Sequence, residues 1–290
     1  MKAAVLSDRG VVGVGGADAR RFLDGLVTSD VDKVAPGHAR FAALLTPQGK
    51  ILFDFIISEA EDGGLLLDCP RALAGDLVQR LAFYKLRAKV EIADLSDTLA
   101  VVALWDGPAA EHGHADPRLA ALGRRVIVPA AETADLVAAL GAEAADIPAY
   151  EAHRIGLTVP RGGLDFIYGD AFPHETDMDQ LGGVDFDKGC FVGQEVVSRM
   201  QHRGTARTRI VSVTNDDGFL PEAGVPVTAG ERAAGTMGSS AAGRGLAMLR
   251  LDRVADAMAA GQPISAGGIA LRPEKPAWAH FAWPGEAAAE

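Results

Sequence analysis

Two kinds of hydrophobic patterning divide this chain. Up to about residue 206, apolar β-prone runs are interleaved with helical spacings; beyond it only short runs remain, set apart by glycine and proline. In the first part, residues 11–14 read as a short strand, and Asp18 stands as the N-cap of a helix carrying Phe22, Leu23 and Leu26. Residues 41–45 and 51–57 are apolar runs joined by Thr46-Pro47-Gln48-Gly49-Lys50, with the proline and glycine where a type I turn wants them, so they predict a β-hairpin. A strand at 65–67 follows, then a helix over 73–86 with Leu73, Leu77, Leu81 and Tyr84 on one side. Strands at 89–92 and 99–104 and a helix at 133–140 complete a mixture without strict βαβα alternation, which predicts α+β. After residue 207, short strands at 209–213, 225–228, 235–238, 245–249 and 269–272, with a short helix at 252–258, predict a small barrel or sandwich. The expected domains are therefore 1–206 and 207–290.

The segment with most chemical content is Lys188-Gly189-Cys190-Phe191-Val192-Gly193-Gln194-Glu195, running into a helix whose apolar face holds Val196, Val197 and Met200. A thiol near a helix N-terminus and a cation gains thiolate character, and Lys188 and Cys190 share a side if the approach is extended. The other reading is a small core residue in a glycine-rich turn. Acidic residues lie upstream (Asp165, Asp170, Glu175, Asp177, Asp179, Asp185, Asp187) and basic ones downstream (Arg199, His202, Arg203, Arg207, Arg209). The basic group is either an anion site or the internal partner of those carboxylates. Asp54 interrupts the apolar run Phe53-Asp54-Phe55, so it is either buried with partners or turned outward on a half-exposed strand. Glu151 and Arg154 are spaced to pair on a helix.

Other chemistries are excluded or weak. Gly13-Val14-Gly15-Gly16 lacks the full dinucleotide fingerprint, and no phosphate loop, nucleophile elbow or HExxH is present. His112-Gly113-His114 with Asp116 reads as an exposed loop, and no metal site is expected. The net charge of −11 argues against broad adhesion to nucleic acid or to an anionic membrane, and no apolar run is long enough to span a bilayer. Only Cys69 and Cys190 are present, which gives no disulfide framework and too few thiolates for an iron–sulfur cluster held by this chain alone. The N-terminus lacks the apolar core of a signal peptide. A reducing cytoplasm is the expected location.

Three blocks carry a family resemblance: KGCFVGQEVVSRMQHRG, FLDGLVTSDV with LLTPQGKILFDF, and AYEAHRIGLTVPRGGLDF leading through PHETDMDQLGGVDFDKG. With them the chain resembles the YgfZ family of folate-binding proteins, relatives of the aminomethyltransferase (T-protein) of the glycine-cleavage system. The mitochondrial iron–sulfur assembly factor related to YgfZ shares the KGC-aromatic-x-GQE signature. The resemblance implies a duplicated α+β folate-binding region followed by a small C-terminal β-barrel. It implies tetrahydrofolate, with or without further glutamates, as ligand, and iron–sulfur client proteins or assembly factors as partners, clients that include tRNA-modifying enzymes. Cys190 and Lys188 become the expected reactive pair, and Asp54, Arg154, Gln194, Glu195, Arg199 and Arg203 the expected folate contacts. The alternative is a tetrahydrofolate-dependent aminomethyltransferase. Against it, the paired aspartates of that enzyme's hairpin read Phe53-Asp54 here, its Asn-Ala reads Cys69-Pro70, and its folate-contacting glutamate aligns with Arg154.

Overall fold

The computed structural model describes residues 1–108, 112–204 and 206–285. The expected domains also take in 109–111, 205 and 286–290, which lie outside the described residues. By compactness the chain forms two units, one of residues 1–150 and 181–194, the other of residues 151–180 and 195 onward. The expected division at 206/207 follows the change in strand pattern, whereas compactness groups 151–180 and 195–206 with the barrel.

The first unit runs β1 (Lys2–Val5), β2 (Arg9–Gly15), α1 (Ala19–Asp24), β3 (Arg40–Leu45), β4 (Ile51–Glu59), β5 (Leu65–Pro70), α2 (Ala74–Lys85) and β6 (Glu91–Asp94). It continues through β7 (Leu99–Trp105), β8 (His114–Ala115), β9 (Arg124–Pro129), α3 (Thr133–Ala139), β10 (Glu143–Ala144) and the start of α4 (Ile147–Gly156). Its strands make two five-stranded sheets, β3-β4-β5-β2-β6 and β10-β1-β7-β9-β8. With three helices interspersed, this is the expected α+β class.

The β3–β4 hairpin forms where Pro47 and Gly49 place the turn. Gly49 N–H donates to the Thr46 carbonyl at 2.9 Å, and Gly49 itself sits at φ +84°, where a side chain would be strained. Alternation along the strands then sorts the side chains. Phe53, Phe55 and Ile57 of β4 join Leu65, Leu67 and Cys69 of β5 in a core against Leu23 of α1 and Leu77 and Leu81 of α2. At 12 residues α2 is marginal as an isolated helix. Burying Leu77 and Leu81, each worth roughly 1.5–3 kcal/mol, holds it.

The intervening positions, Asp54, Ile56 and Ser58 on β4 and Leu66 and Asp68 on β5, face the other way. There Asp68 accepts from Arg9 Nε at 2.6 Å and from Arg125 of β9 at 2.5 Å. Arg125 also donates to Asp116 (2.9 Å) and to the Tyr150 hydroxyl (3.0 Å), while Arg118 grips Asp116 through two bonds of 2.9 and 2.7 Å. Burial favours the neutral acids, but the guanidinium groups outweigh it and hold Asp68 and Asp116 below the usual carboxylate range. This buried ionic network ties the two sheets together. It also corrects the reading of 112–116 as an exposed loop: His114 and Asp116 are buried, because the arginines of β9 supply the partners that charge burial requires.

In the second unit, α5 (Gln194–Arg203) precedes β11 (Thr208–Thr214), β12 (Pro226–Ala229), β13 (Arg232–Ala241), β14 (Arg244–Arg250), α6 (Leu251–Ala259), β15 (Ile264–Ala266) and β16 (Ile269–Glu274). These six strands close into a barrel in the order β11-β14-β13-β12-β15-β16, with Val211, Val213, Ala247 and Leu249 inside. Closure removes the exposed edges that short strands would otherwise present. No helix among the described residues is long and apolar enough to cross a membrane.

Candidate functional site

Cys190 is exposed, which removes the core-residue reading. The segment that carries it is held down on both sides. Lys188, 1% exposed at its side chain, donates from Nζ to the carbonyl oxygens of Asp24 (2.6 Å), Val27 (2.9 Å) and Ser29 (3.1 Å). The same ammonium lies 2.9 Å from the Asp24 carboxylate and 5.5 Å from the centroid of the Phe191 ring. Upstream, Asp185 N–H donates to the Thr28 carbonyl and the Asp185 carboxylate takes Lys33. Downstream, Phe191 is buried, Val192 packs on the sheet-and-helix core, and Gly193 sits at φ +83° against the hairpin turn. A Cβ on Gly193 would come within 2.6 Å of the Thr46 carbonyl oxygen.

The expectation that Lys188 and Cys190 point the same way is corrected. The chain turns at 186–187 instead of running extended, so the ammonium is buried in a cage of carbonyls while the thiol faces out. Lys188 acts on the loop, not on the sulfur. Gln194 opens α5 and turns back: its side-chain oxygen accepts from Phe191 N–H at 3.4 Å. Cys69, the other thiol, is buried in the core, and burial pushes it up to about 12. It is not a competing nucleophile.

The remaining predicted residues are scattered in role. Asp54 is buried, on the same face as Asp68, within electrostatic reach of Arg9. Arg154 is corrected as a folate contact. Its Nε and both terminal nitrogens already donate to Glu151 (3.1 and 2.7 Å), the Val159 carbonyl (2.7 Å), Asp165 (2.9 Å) and Ser239 (2.9 Å), which uses all five N–H groups. Glu195 and Arg199 are exposed and pair with each other at 2.7 Å; Arg203 is exposed at the end of α5. Arg209 is the internal partner of the upstream acids, at 2.6 Å from Asp179 and 3.4 Å from Asp177. Among the described residues, no three His, Cys, Asp or Glu side chains are placed to hold a metal ion.

The carbonyl cage of residues 24–29, which positions the Cys190 loop, escaped the sequence reading because it left no side-chain signal. Asp68, on the face that Asp54 shares, did leave one, a charge inside an apolar strand, the same signal that marked Asp54.

Residues 6–113 match a family model described as the GCVT N-terminal domain, and residues 207–281 match the CAF17 C-terminal beta-barrel domain. The chain is 32% identical over 284 residues to the iron–sulfur cluster assembly factor IBA57, mitochondrial, of Homo sapiens, covering 86% of this chain and 77% of that protein. The chain belongs to the IBA57 family. A homologue named in the same way from Mycosarcoma maydis is 38% identical over 231 residues, a match that spans 73% of this chain but only 57% of the relative. Among solved structures, the glycine cleavage system aminomethyltransferase T of Bartonella henselae superposes with a TM-score of 0.74 over 97% of this chain and 87% of that one. At 16% identity that likeness shows the fold alone.

Membership of the IBA57 family replaces the expected YgfZ placement with the coarser one the relatives support. It also overturns the cytoplasmic expectation, because the homologues are named mitochondrial. An acidic chain with two unpaired thiols suits any reducing compartment, so composition never separated the two.

Proposed function

We propose that the chain is an accessory factor for the assembly or repair of iron–sulfur clusters in client proteins, with Cys190 as its working group. The observation that carries this reading is an exposed thiol on a loop that is otherwise locked, through Lys188 and Gly193, onto the first unit. The names of the IBA57 homologues supply the class of cargo. One thiol cannot hold a cluster alone, so a client or assembly protein, or a small thiol, completes the ligand set. Transfer then exchanges an iron–sulfur bond to the Cys190 thiolate for one to a client thiolate, with no change of oxidation state: the client thiol gives up its proton as its bond to iron forms, and the released Cys190 thiolate takes one up. Lys188 is the positioning residue in this scheme.

Tetrahydrofolate is the proposed small-molecule ligand. The buried carboxylate of Asp54 fits the donor edge of a pterin, which offers N–H groups to an acceptor. Arg154 has no donor left to offer and is not among the contacts. Arg199 and Arg203, exposed on α5, are proposed as anion contacts in their own right, and Gln194 and Glu195 at the start of that helix as proposed ligand contacts toward donor groups. Enzymes that modify tRNA are among the proposed clients, and the signature KGCFVGQE is what supports the finer YgfZ-like reading.

The test has two arms. Cells lacking the chain are complemented with wild type or Cys190→Ser, and the activity of cluster-dependent enzymes is measured. The reading requires that Cys190→Ser folds with an unchanged melting temperature and fails to restore them; full restoration sinks it. Anaerobic calorimetry with tetrahydrofolate and its triglutamate form, on wild type and Cys190→Ser, tests the ligand separately. Binding retained in the variant and strengthened by the extra glutamates supports the folate proposal, and no heat from either protein removes it. Steady turnover of an aminomethyl donor, abolished in Asp54→Asn, would favour the transferase instead.

A further inference from the structure

Between the two sheets of the first unit, at the end away from the Thr46–Lys50 turn, lies a half-open cavity of about 480 Å³. Ser58 and Leu66, directly paired across β4 and β5, line it from one sheet. Ile127 and His114 line it from the other, His114 being paired with Arg125 on the face turned toward Asp68. The loop of Ala35–His38 and the turn carrying Glu59 and Glu61 close the sides. The volume lies within the range of small-molecule sites.

Its two buried polar side chains can both accept, and an exposed imidazole, His38, stands at the side. Ser58 is 9% exposed and its hydroxyl has no partner among the described residues. His114 is 5% exposed, with Nδ1 3.0 Å from the Ala115 carbonyl and Nε2 without a partner among the described residues. A carbonyl only accepts, so Nδ1 carries the proton and the neutral ring presents Nε2 as an acceptor. Burial lowers the His114 pKa and keeps it neutral. Glu59 is balanced by Arg20 at 2.6 Å, whereas Glu61 is exposed, and among the described residues no lysine or arginine lines the cavity. Apart from His38, the walls therefore offer acceptors and negative charge beside the apolar side chains of Leu66, Ile127, Ala60 and Pro36.

We propose that this cavity binds a small organic cation, an ammonium or guanidinium group on a short apolar stem, with Ser58, Glu61 and His114 as its polar contacts. Among the described side chains an anion would meet only the Ser58 hydroxyl and the exposed His38 ring as donors, and it would face the Glu61 carboxylate. Among the described residues a metal ion finds no set of three ligands. The proposal is independent of Cys190 and of folate.

The test titrates the full chain with n-pentylamine and n-butylguanidine, with pentanoate and 1-pentanol as controls, by calorimetry at pH 7. Saturable binding of the two cations and none of pentanoate is the expected result. Ser58→Val and Glu61→Gln should each weaken the cations about tenfold or more, the size of a hydrogen bond to a charged group. The ¹⁵N resonance of His114 Nε2 should move on saturation in the wild type, a readout that survives if Ser58→Val fails to fold. Absence of saturation by either cation at about 10 mM, a concentration that would reveal even millimolar affinity, overturns the proposal. Equal binding of pentanoate, or unchanged affinity in both variants with the His114 resonance unmoved, overturns it as well.

Discussion

Lys188 carries a full charge in a place where water scarcely reaches, and its four oxygen neighbours explain why it stays there. Three are main-chain carbonyls, so the residue reads backbone geometry and is blind to the side chains of residues 27 and 29. Lys188→Met keeps the length of the stem and removes the ammonium, leaving those carbonyls short of a donor. The expected cost is about 3 kcal/mol in chemical denaturation, the scale of breaking a buried charged contact. Lys188→Arg should not rescue it, because a planar fork does not match three converging carbonyls. A loss under 1 kcal/mol would show that the cage is not what holds the loop. The two thiols give a second prediction at this scale. In the native protein iodoacetamide should alkylate Cys190 alone, with Cys69 reacting only on unfolding, since burial keeps its thiol protonated. Rapid labelling of both would contradict the packing around Cys69.

At the scale of elements, the hairpin turn is a platform as well as a connection. Gly193 rests on it with a left-handed backbone, so Gly193→Ala faces both a strained φ and a clash with the Thr46 carbonyl. The expected loss is roughly 1–3 kcal/mol, accompanied by a change in the alkylation rate of Cys190, because the loop must lift to make room. Unchanged stability and labelling would mean the turn does not support the loop. The hairpin itself and α2 were legible because their signals are local: turn residues at fixed positions and a helical apolar stripe. Strands β1, β8, β9, β10 and β15 were not read. β1 is four residues long and is made by pairing with β7 and β10, some hundred or more residues away. β9 opens with two arginines, which look like surface until Asp68, Asp116 and Tyr150 are brought to meet one of them.

At the scale of the whole molecule, buried titratable groups make stability depend on pH in two windows. His114 and His174 are held neutral, chiefly by burial, with pKa values below the ordinary 6.5. A base with a lowered folded pKa contributes stability that is full above about 6.5 and is lost as pH falls through the folded value. Asp68 and Asp116, with lowered pKa values, add stability that is full above about 4 and is lost as pH falls further. Asp177 has the opposite sign: burial, reinforced by Asp179 and opposed by Arg209, raises its pKa, so its contribution is lost as pH rises through that value. The histidine contribution should therefore lower the melting temperature from pH 7 to 5, a fall that Asp177 opposes, and the loss of the Asp68 and Asp116 contributions should lower it again below pH 4. The first fall should be shallower in His114→Gln/His174→Gln; an identical slope in that variant would show that these histidines do not carry it.

Sequence by itself determined the class of the fold, the change from mixed elements to a small domain of short strands, the hairpin and the thiol-bearing signature, because each rests on periodicity, turn chemistry or a contiguous motif. The tertiary structure alone decided what the polar residues do. Lys188 turned out to be a lock, Arg154 a saturated structural guanidinium, and His114 and Asp116 parts of an interior, because burial and partnership depend on residues far away along the chain. A charge in a sequence says that a partner is needed; only folding says which one.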